Sequence, residues 1–63
     1  MQIMSEKIPR PNQEYLTEGK WYDVKLFHEG VLFTFVADDG GEIVCTLKGC
    51  VHLGGGDWQT REV

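Results

Sequence analysis

The spacing of apolar side chains divides the chain near residue 20. Before that point, residues 1–19 contain both prolines and show no alternation of apolar and polar positions. After it, short apolar runs are separated by turn residues, a pattern typical of small all-β domains. The pattern therefore predicts an N-terminal arm over residues 1–19 and a small β domain over residues 20–63.

The predicted arm combines a stiff segment with apolar side chains. Pro9-Arg10-Pro11 favours an extended backbone, and Asn12 is placed to cap a short helical turn over residues 13–18 that Gly19 closes. Its apolar residues are Ile3, Met4, Ile8 and Leu16. The sequence leaves open whether the arm packs on its own domain, completes a second copy, contacts a partner or stays mobile.

Five short strands are predicted after the arm. They cover residues 21–27, 31–37, 42–48, 50–53 and 57–62. In the first strand, Tyr22, Val24 and Leu26 alternate with other residues and are expected to face the core. The second strand is β-branched or aromatic almost throughout, so we expect it to be central and covered on both faces.

Turn residues lie between these strands. Asp38-Asp39-Gly40-Gly41 is the strongest signal, because Asp-Gly and Gly-Gly supply the positive φ angles of tight hairpin turns. We therefore predict a hairpin there, followed by Ile43, Cys45 and Leu47 pointing inward. His28-Glu29-Gly30 predicts a second turn.

These strands predict a strongly bent, five-stranded antiparallel sheet that closes to hide its edges. Gly19 to Val24, Asp38 to Gly41 and Leu47 to Cys50 carry a resemblance to the Src-homology-3-like barrels and to small acidic β proteins of phages and prophages. The resemblance covers residues 19–62 and implies a small barrel. The acidic and aromatic run of the peptide-binding signalling members is missing, so recognition of proline-rich ligands is not implied.

Size and charge exclude several classes of function. A chain of 63 residues is too short for a two-domain enzyme or a doubly wound cofactor fold. Its net charge of −4 argues against nucleic-acid binding, which relies on Lys and Arg contacts to phosphates, and favours a basic protein partner. No apolar run is long enough for a membrane span and no signal-peptide pattern is present, so we expect a cytoplasmic protein without membrane contacts.

Cys45 and Cys50 are the only cysteines, and we expect buried free thiols, with pairing or metal binding left open. Together with His52 and either His28 or Asp57 they have the donor types of a zinc site, but not the usual ligand spacing. Cys50 and His52 are also a conceivable nucleophile and base, although the chain leaves little room for a substrate cleft. We therefore expect no metal, cofactor or catalytic site.

Gly54-Gly55-Gly56-Asp57 allows a second minor hypothesis. A glycine loop can cradle phosphate with its amide groups, and Trp58 and His52 flank it where a base could stack. The phosphate-loop motifs are missing, however, and Asp57 would repel phosphate. A flexible or closely packed loop is the simpler interpretation.

The two tryptophans and the surface carboxylates are the candidate binding residues. Trp21 is expected on the face opposite Tyr22, where a partly exposed aromatic ring could anchor an interface unless the arm covers it. The full candidate set is Trp21, Asp23, Asp38, Asp39, Glu42, Asp57 and Trp58.

The sequence thus predicts a non-enzymatic protein that binds a protein partner stoichiometrically, with a homodimer among the arrangements it allows. Charge and size favour, as a sharper hypothesis, a phage or mobile-element inhibitor of a host or defence protein, whose carboxylates imitate nucleic-acid phosphates in a basic groove. Two alternatives stay open. One is a protein that sequesters a nucleotide signal at a subunit interface, and the other is a structural or assembly component.

Overall fold

The structure is a computed structural model that describes residues 1–28 and 32–63. Within them the strands are β1 (Gln2–Met4), β2 (Tyr22–Asp23), β3 (Leu26–His28), β4 (Leu32–Val36), β5 (Glu42–Thr46) and β6 (Gln59–Arg61). Two 3-10 helices, η1 (Arg10–Glu14) and η2 (Val51–Leu53), complete the described elements. The protein is all-β, as predicted, and the described residues contain no helix long and apolar enough to cross a membrane.

The strands form two antiparallel sheets of three strands each. The first sheet has the order β2-β1-β6 and the second sheet the order β3-β4-β5. Among the described residues, ladders join strands within each sheet and none joins one sheet to the other. The fold described is therefore a pair of small sheets, and its strands do not close a barrel.

The segment predicted as an arm supplies the central strand of the first sheet. Ile3, in β1, is completely buried and lies opposite Tyr22 of β2 and Thr60 of β6. Ile8 and Leu16 are buried in the same core. The arm thus packs on its own chain, and its strand is too short to show an alternation in the sequence.

The helical turn lies earlier than predicted. η1 covers Arg10–Glu14, with Pro11 in its first turn, where a missing N–H removes no helical hydrogen bond. Asn12 lies inside the helix and does not cap it. Its side-chain amide donates to the His52 carbonyl oxygen at 2.7 Å, which fastens η1 to η2.

The predicted strand over residues 21–27 is two strands that belong to different sheets. The Val24 amide donates to the carbonyl oxygen of Met1, the residue just before β1, whereas the Lys25 amide donates to the carbonyl oxygen of Thr34 in β4. The change of partner turns the row of side chains, so Tyr22 is buried whereas Leu26 is 52% exposed. The prediction that Leu26 faces the core was wrong for this reason.

β4 and β5 form the predicted hairpin. Their register pairs Leu32 with Thr46 and Val36 with Glu42. Gly40 has φ +84°, a conformation that other residues rarely adopt, which explains the glycine in this turn. Cys45 points inward as predicted and is buried.

The predicted burial of β4 on both faces was wrong on one of them. Phe33 and Phe35 are completely buried, but Leu32 and Val36 are 41% and 47% exposed. One face of β4 therefore packs on the core and the other is largely uncovered. Glu29 and Gly30 of the predicted turn, and Val31 of the predicted strand, lie outside the described residues.

The C-terminal third was predicted correctly in part. The fifth predicted strand is present as β6, whereas residues 50–53 are not a strand. Cys50 makes a single bridge to Gly56, and the chain between them forms η2 and a tight glycine turn with φ +64° at Gly54 and +91° at Gly55. The helical backbone of η2 replaces the extended backbone that a strand over residues 50–53 would require.

Aromatic rings fill the space between the two sheets. Trp58 meets Phe33 and Phe35 edge-on, with ring centroids 6.2 and 5.5 Å apart. Tyr22 from the first sheet lies 5.1 Å from the Phe35 ring. Such edge-to-face contacts are favourable for aromatic rings, so this cluster holds the sheets together.

Candidate functional site

The largest set of exposed aliphatic side chains on one sheet face lies on the second sheet, away from the core. We call this surface the outer face; it comprises Leu26, Leu32, Thr34, Val36 and Val44. Cross-strand pairing places Leu26, Thr34 and Val44 in one row, and alternation along β4 adds Leu32 and Val36. The four aliphatic residues are between 41% and 56% exposed.

Thr34 lies at the centre of the outer face and is only 6% exposed. Its hydroxyl oxygen finds no hydrogen-bond partner among the described residues. A hydroxyl shielded from water without a partner costs free energy. The middle of this face therefore behaves as an apolar surface although it carries a polar residue.

One ion pair borders the outer face. The Lys25 ammonium lies 2.9 Å from a carboxylate oxygen of Glu42, at the end of the sheet where Val36 is located. Both side chains are well exposed, so the pair contributes little to stability. It gives this border one charge of each sign.

Trp21 is half-buried and lies in a groove next to that border. The groove is lined by Lys20, Trp21, Tyr22, Asp23, Lys25 and Val36. The Arg61 guanidinium covers the Trp21 ring at 4.0 Å from its centroid, a cation–π contact. Trp21 is therefore on the surface, as predicted, but an internal contact already occupies part of its ring.

Trp58, the second tryptophan of the candidate binding set, lies in the core. It is 6% exposed and packs between the sheets, so the structure does not present it to a partner. Its indole nitrogen has no hydrogen-bond partner among the described residues. Trp58 lies directly before β6 and joins that strand to the core.

The structure does not gather the predicted carboxylates into one patch. Asp38 and Asp39 lie in the hairpin turn, Glu42 begins β5, Asp23 ends β2, and Asp57 precedes β6. Most of them accept hydrogen bonds from other groups of the same chain. Asp39 accepts a hydrogen bond from the Gly41 amide, Asp57 from the Gly49 amide and Asp23 from the Gln2 side chain.

Asp38 has the most hydrogen-bond partners of these carboxylates. It accepts hydrogen bonds from Lys20 and Thr17, each at 2.6 Å, and from the Tyr22 hydroxyl at 3.0 Å. The bond from Lys20, followed by that from Thr17, lowers the pKa of Asp38 below its usual value. Burial raises the pKa of Tyr22 and so keeps its hydroxyl protonated as a donor. This cluster ties the start of β2 to the hairpin turn.

Cys45 and Cys50 are both free and buried. Burial, reinforced by the nearby Cys50, raises the pKa of the Cys45 thiol far above its ordinary range, which makes it a poor nucleophile. His52 shares a hydrogen bond of 3.0 Å between its Nδ1 atom and the Tyr15 hydroxyl. Within the described residues, no three His, Cys, Asp or Glu side chains come together as metal ligands.

The glycine loop uses its own amide groups. The N–H groups of Gly54, Gly55 and Gly56 donate to the carbonyl oxygens of Val51, Cys50 and Leu53, respectively. Amide groups committed to the backbone cannot also cradle a phosphate. This arrangement gives the phosphate-loop hypothesis no support.

No protein-family model matches the chain, and neither a curated protein nor a solved structure matches it.

The outer face is the candidate site that the geometry favours, and the sequence-based set of binding residues did not include it. A signal was present: Leu32, Val36 and Val44 fall on one side of the predicted hairpin, opposite Phe33, Phe35 and Cys45.

Proposed function

We propose that the protein is a non-enzymatic binding protein of the cytoplasm that acts stoichiometrically on a protein partner. The observation that supports this is the outer face, where four aliphatic side chains are exposed side by side. Contiguous exposed apolar surface on a small protein is characteristic of interaction sites. The net charge of −4 favours a partner with a basic surface, because opposite charges accelerate association.

In this proposal the outer face makes the contact and the carboxylates guide the approach. Glu42 and Lys25 border the contact, and Trp21 extends it at one end. The remaining acidic residues act through their summed field, since they are spread over the surface and bonded locally. A contact of this kind is apolar at its centre and charged around it, as protein interfaces commonly are.

We further propose that the protein is an accessory protein of the phage or prophage type, with a Src-homology-3-like architecture, that inhibits a host or defence protein. The resemblance of residues 19–62 supports this, together with the change of sheet between β2 and β3 and the tight hairpin between β4 and β5. The inhibitor would occupy a basic, nucleic-acid-binding surface of its target by charge complementarity.

Site-specific photo-crosslinking in bacterial cells tests the proposal. A photoreactive amino acid replaces Val36 on the outer face, or Val51 on η2 as the matched control, because Val51 is 81% exposed but lies elsewhere. We expect crosslinks to one protein species at a one-to-one ratio from position 36 only. Leu32→Lys should remove them, and binding should weaken between about 0.05 and 0.5 M salt. Equal crosslinking from both positions would contradict the proposal.

The two alternative functions give different results in simple measurements. A nucleotide-sequestering protein would melt at a higher temperature with a nucleotide present, since a ligand that binds the folded state stabilises it. An assembly component would form large oligomers by itself. We expect neither an upward melting shift with a panel of nucleotides nor assemblies larger than a dimer.

A further inference from the structure

The outer edge of β5 is an unpaired strand edge. β5 (Glu42–Thr46) is the last strand of the second sheet and pairs only with β4. Among the described residues, no hydrogen bond reaches the main-chain N–H or C=O groups on its other side. Edges of this kind can pair with a strand of another chain.

The hairpin register shows which groups point outward. The Ala37 amide donates to the Gly41 carbonyl oxygen at 2.8 Å, which defines the first hydrogen-bonded pair beside the turn. Such pairs recur at every second residue of an antiparallel ladder, so Ile43 and Cys45 direct their main-chain groups toward β4. The N–H and C=O groups of the alternate residues, Glu42, Val44 and Thr46, therefore face the open edge.

β5 has few of the features that prevent edge pairing, and its one charged residue is Glu42 at its first position. It contains no proline, glycine or lysine, and its five residues pair with β4 without a bulge. Val44 at its centre is 56% exposed. The other edges are shorter: β3 and β6 have three residues each and β2 has two.

We propose that the β5 edges of two copies of this chain pair antiparallel about a two-fold axis through Val44. Val44 then lies opposite Val44 of the second copy, and Glu42 lies opposite Thr46 of the second copy. Each hydrogen-bonded residue pair exchanges two backbone hydrogen bonds. The second sheet of one copy and the second sheet of the other then form one continuous sheet of six strands. Closed two-fold symmetry is the commonest arrangement of soluble homo-oligomers.

The sequence of β5 favours this register over the two others that place an outward-facing residue of β5 on the axis. With Val44 on the axis, each Glu42 carboxylate faces a threonine hydroxyl and the two valines contact each other. A shift that brings two Glu42 residues opposite each other places like charges together, which is destabilising. The opposite shift places two Thr46 residues on the axis and leaves both valines without an apolar neighbour across the interface. Of these three registers, the one with Val44 on the axis is therefore the most complementary.

Dimerisation by this edge is independent of partner binding by the outer face. Edge pairing uses only Val44 of each outer face, leaves Leu26, Leu32 and Val36 uncovered, and places the two outer faces side by side on the same side of the six-stranded sheet. Failure of one proposal therefore leaves the other standing. Crosslinking from position 36 reports on the outer face, and the oligomeric state reports on the β5 edge.

A pair of charge variants at Thr46 tests the register directly. Sedimentation equilibrium of the full chain between about 1 µM and 1 mM should show a reversible dimer. Thr46→Lys places an ammonium opposite Glu42 of the second copy at two symmetric positions, so the dimer Kd should fall about fivefold. Thr46→Glu places like charges there and should raise the Kd by about the same factor. Both variants lose the same hydrogen bond to Lys48, so they are matched.

Two further variants identify the edge. Val44→Pro removes an N–H that points away from β4, so the monomer should fold, as judged by circular dichroism, while dimerisation is lost. Leu26→Lys alters the opposite edge of the same sheet and should leave the dimer Kd unchanged. A monomer up to about 1 mM, or a dimer with the same Kd in both Thr46 variants, would overturn the proposal. If Val44→Pro does not fold, the Thr46 pair still decides the question.

Discussion

The two sheets present very different surfaces to solvent. On the first sheet, Gln2 donates to Asp23 at 2.9 Å and accepts from Arg61 at 2.8 Å, while Arg61 also covers Trp21. These contacts link all three strands of that sheet through polar side chains. The outer face of the second sheet carries aliphatic side chains around Thr34, whose hydroxyl has no partner among the described residues.

This difference separates residues that complete the fold from residues that are available for binding. A small domain has little apolar surface to spare, because it buries a smaller fraction of its surface than a large one. Exposing four aliphatic residues on one sheet gives the isolated chain no stability. The proposed function gives these residues a role in contact with another molecule, whereas the first sheet is completed within the chain.

The largest expected effect comes from a residue of the first sheet. Ile3→Ala removes a completely buried side chain from the central strand and should lower the free energy of unfolding by about 3 kcal/mol. Leu32→Ala on the outer face should cost less than about 1 kcal/mol, because this side chain is already 41% exposed. Urea unfolding monitored by tryptophan fluorescence measures both. Equal losses would show that the outer face is as well packed as the first sheet.

The second effect concerns the Asp38 cluster, which ties the first sheet to the hairpin of the second. Asp38→Asn should lower the free energy of unfolding by about 1.5 kcal/mol at neutral pH, since hydrogen bonds to an ionised group are lost. Asp39→Asn is the matched control, because the one hydrogen bond that Asp39 accepts from the described residues comes from the Gly41 amide within its own turn. Urea unfolding at pH 7 measures both variants.

The same cluster gives the protein a defined acid sensitivity. Because the folded state lowers the pKa of Asp38 from its usual 3.8, the stabilisation is present above that value. It is lost as the pH falls through the lowered pKa. Asp38→Asn should therefore flatten the decline of stability in acid. An unchanged slope below about pH 5 in this variant would contradict the assignment.

The third effect has the opposite sign and lies at the centre of the outer face. Thr34→Val replaces a buried hydroxyl that has no partner among the described residues with a methyl group of similar size. We expect the free energy of unfolding to rise by about 1 kcal/mol. Thr34→Ser keeps the hydroxyl and should not stabilise. A loss of stability in Thr34→Val would mean that the hydroxyl has a partner in solution.

The smallest effect is expected on the surface of the first sheet. Gln2→Ala breaks the side-chain bonds to Asp23 and Arg61, which are exposed to water, and should cost about 0.5 kcal/mol. The change should also free the Arg61 side chain and alter the fluorescence of Trp21. Thermal melting and emission spectra measure the two consequences. Gln59→Ala, which removes another exposed polar residue of this sheet, is the control.

Local signals in the sequence were sufficient for the hairpin and the last strand. Asp38 to Gly41 specify a tight turn through backbone geometry alone, and Trp58 marks the chain segment that enters the core. The all-β class followed from the same local rules. These predictions needed no knowledge of distant contacts.

The other elements depend on contacts that the sequence does not display. β1 is a strand because β2 and β6 lie on its two sides, and three residues cannot reveal an alternation. Leu26 is exposed because the chain changes sheets just before it. The outer face was not predicted because aliphatic residues in β4 equally fit a strand covered on both faces.

The pairing of β1 with β6 has a consequence for the order of folding. Gln2 lies opposite Arg61, so nearly the whole chain forms the loop between them, whereas the β4–β5 hairpin closes over a short turn. Closing a long loop costs more chain entropy than closing a short one, and distant contacts slow folding. We expect the second sheet to begin forming first, with its exposed edge and outer face already present while the first sheet is still open. The two proposed binding surfaces would then be at greatest risk of misassociation during refolding, before the molecule is complete.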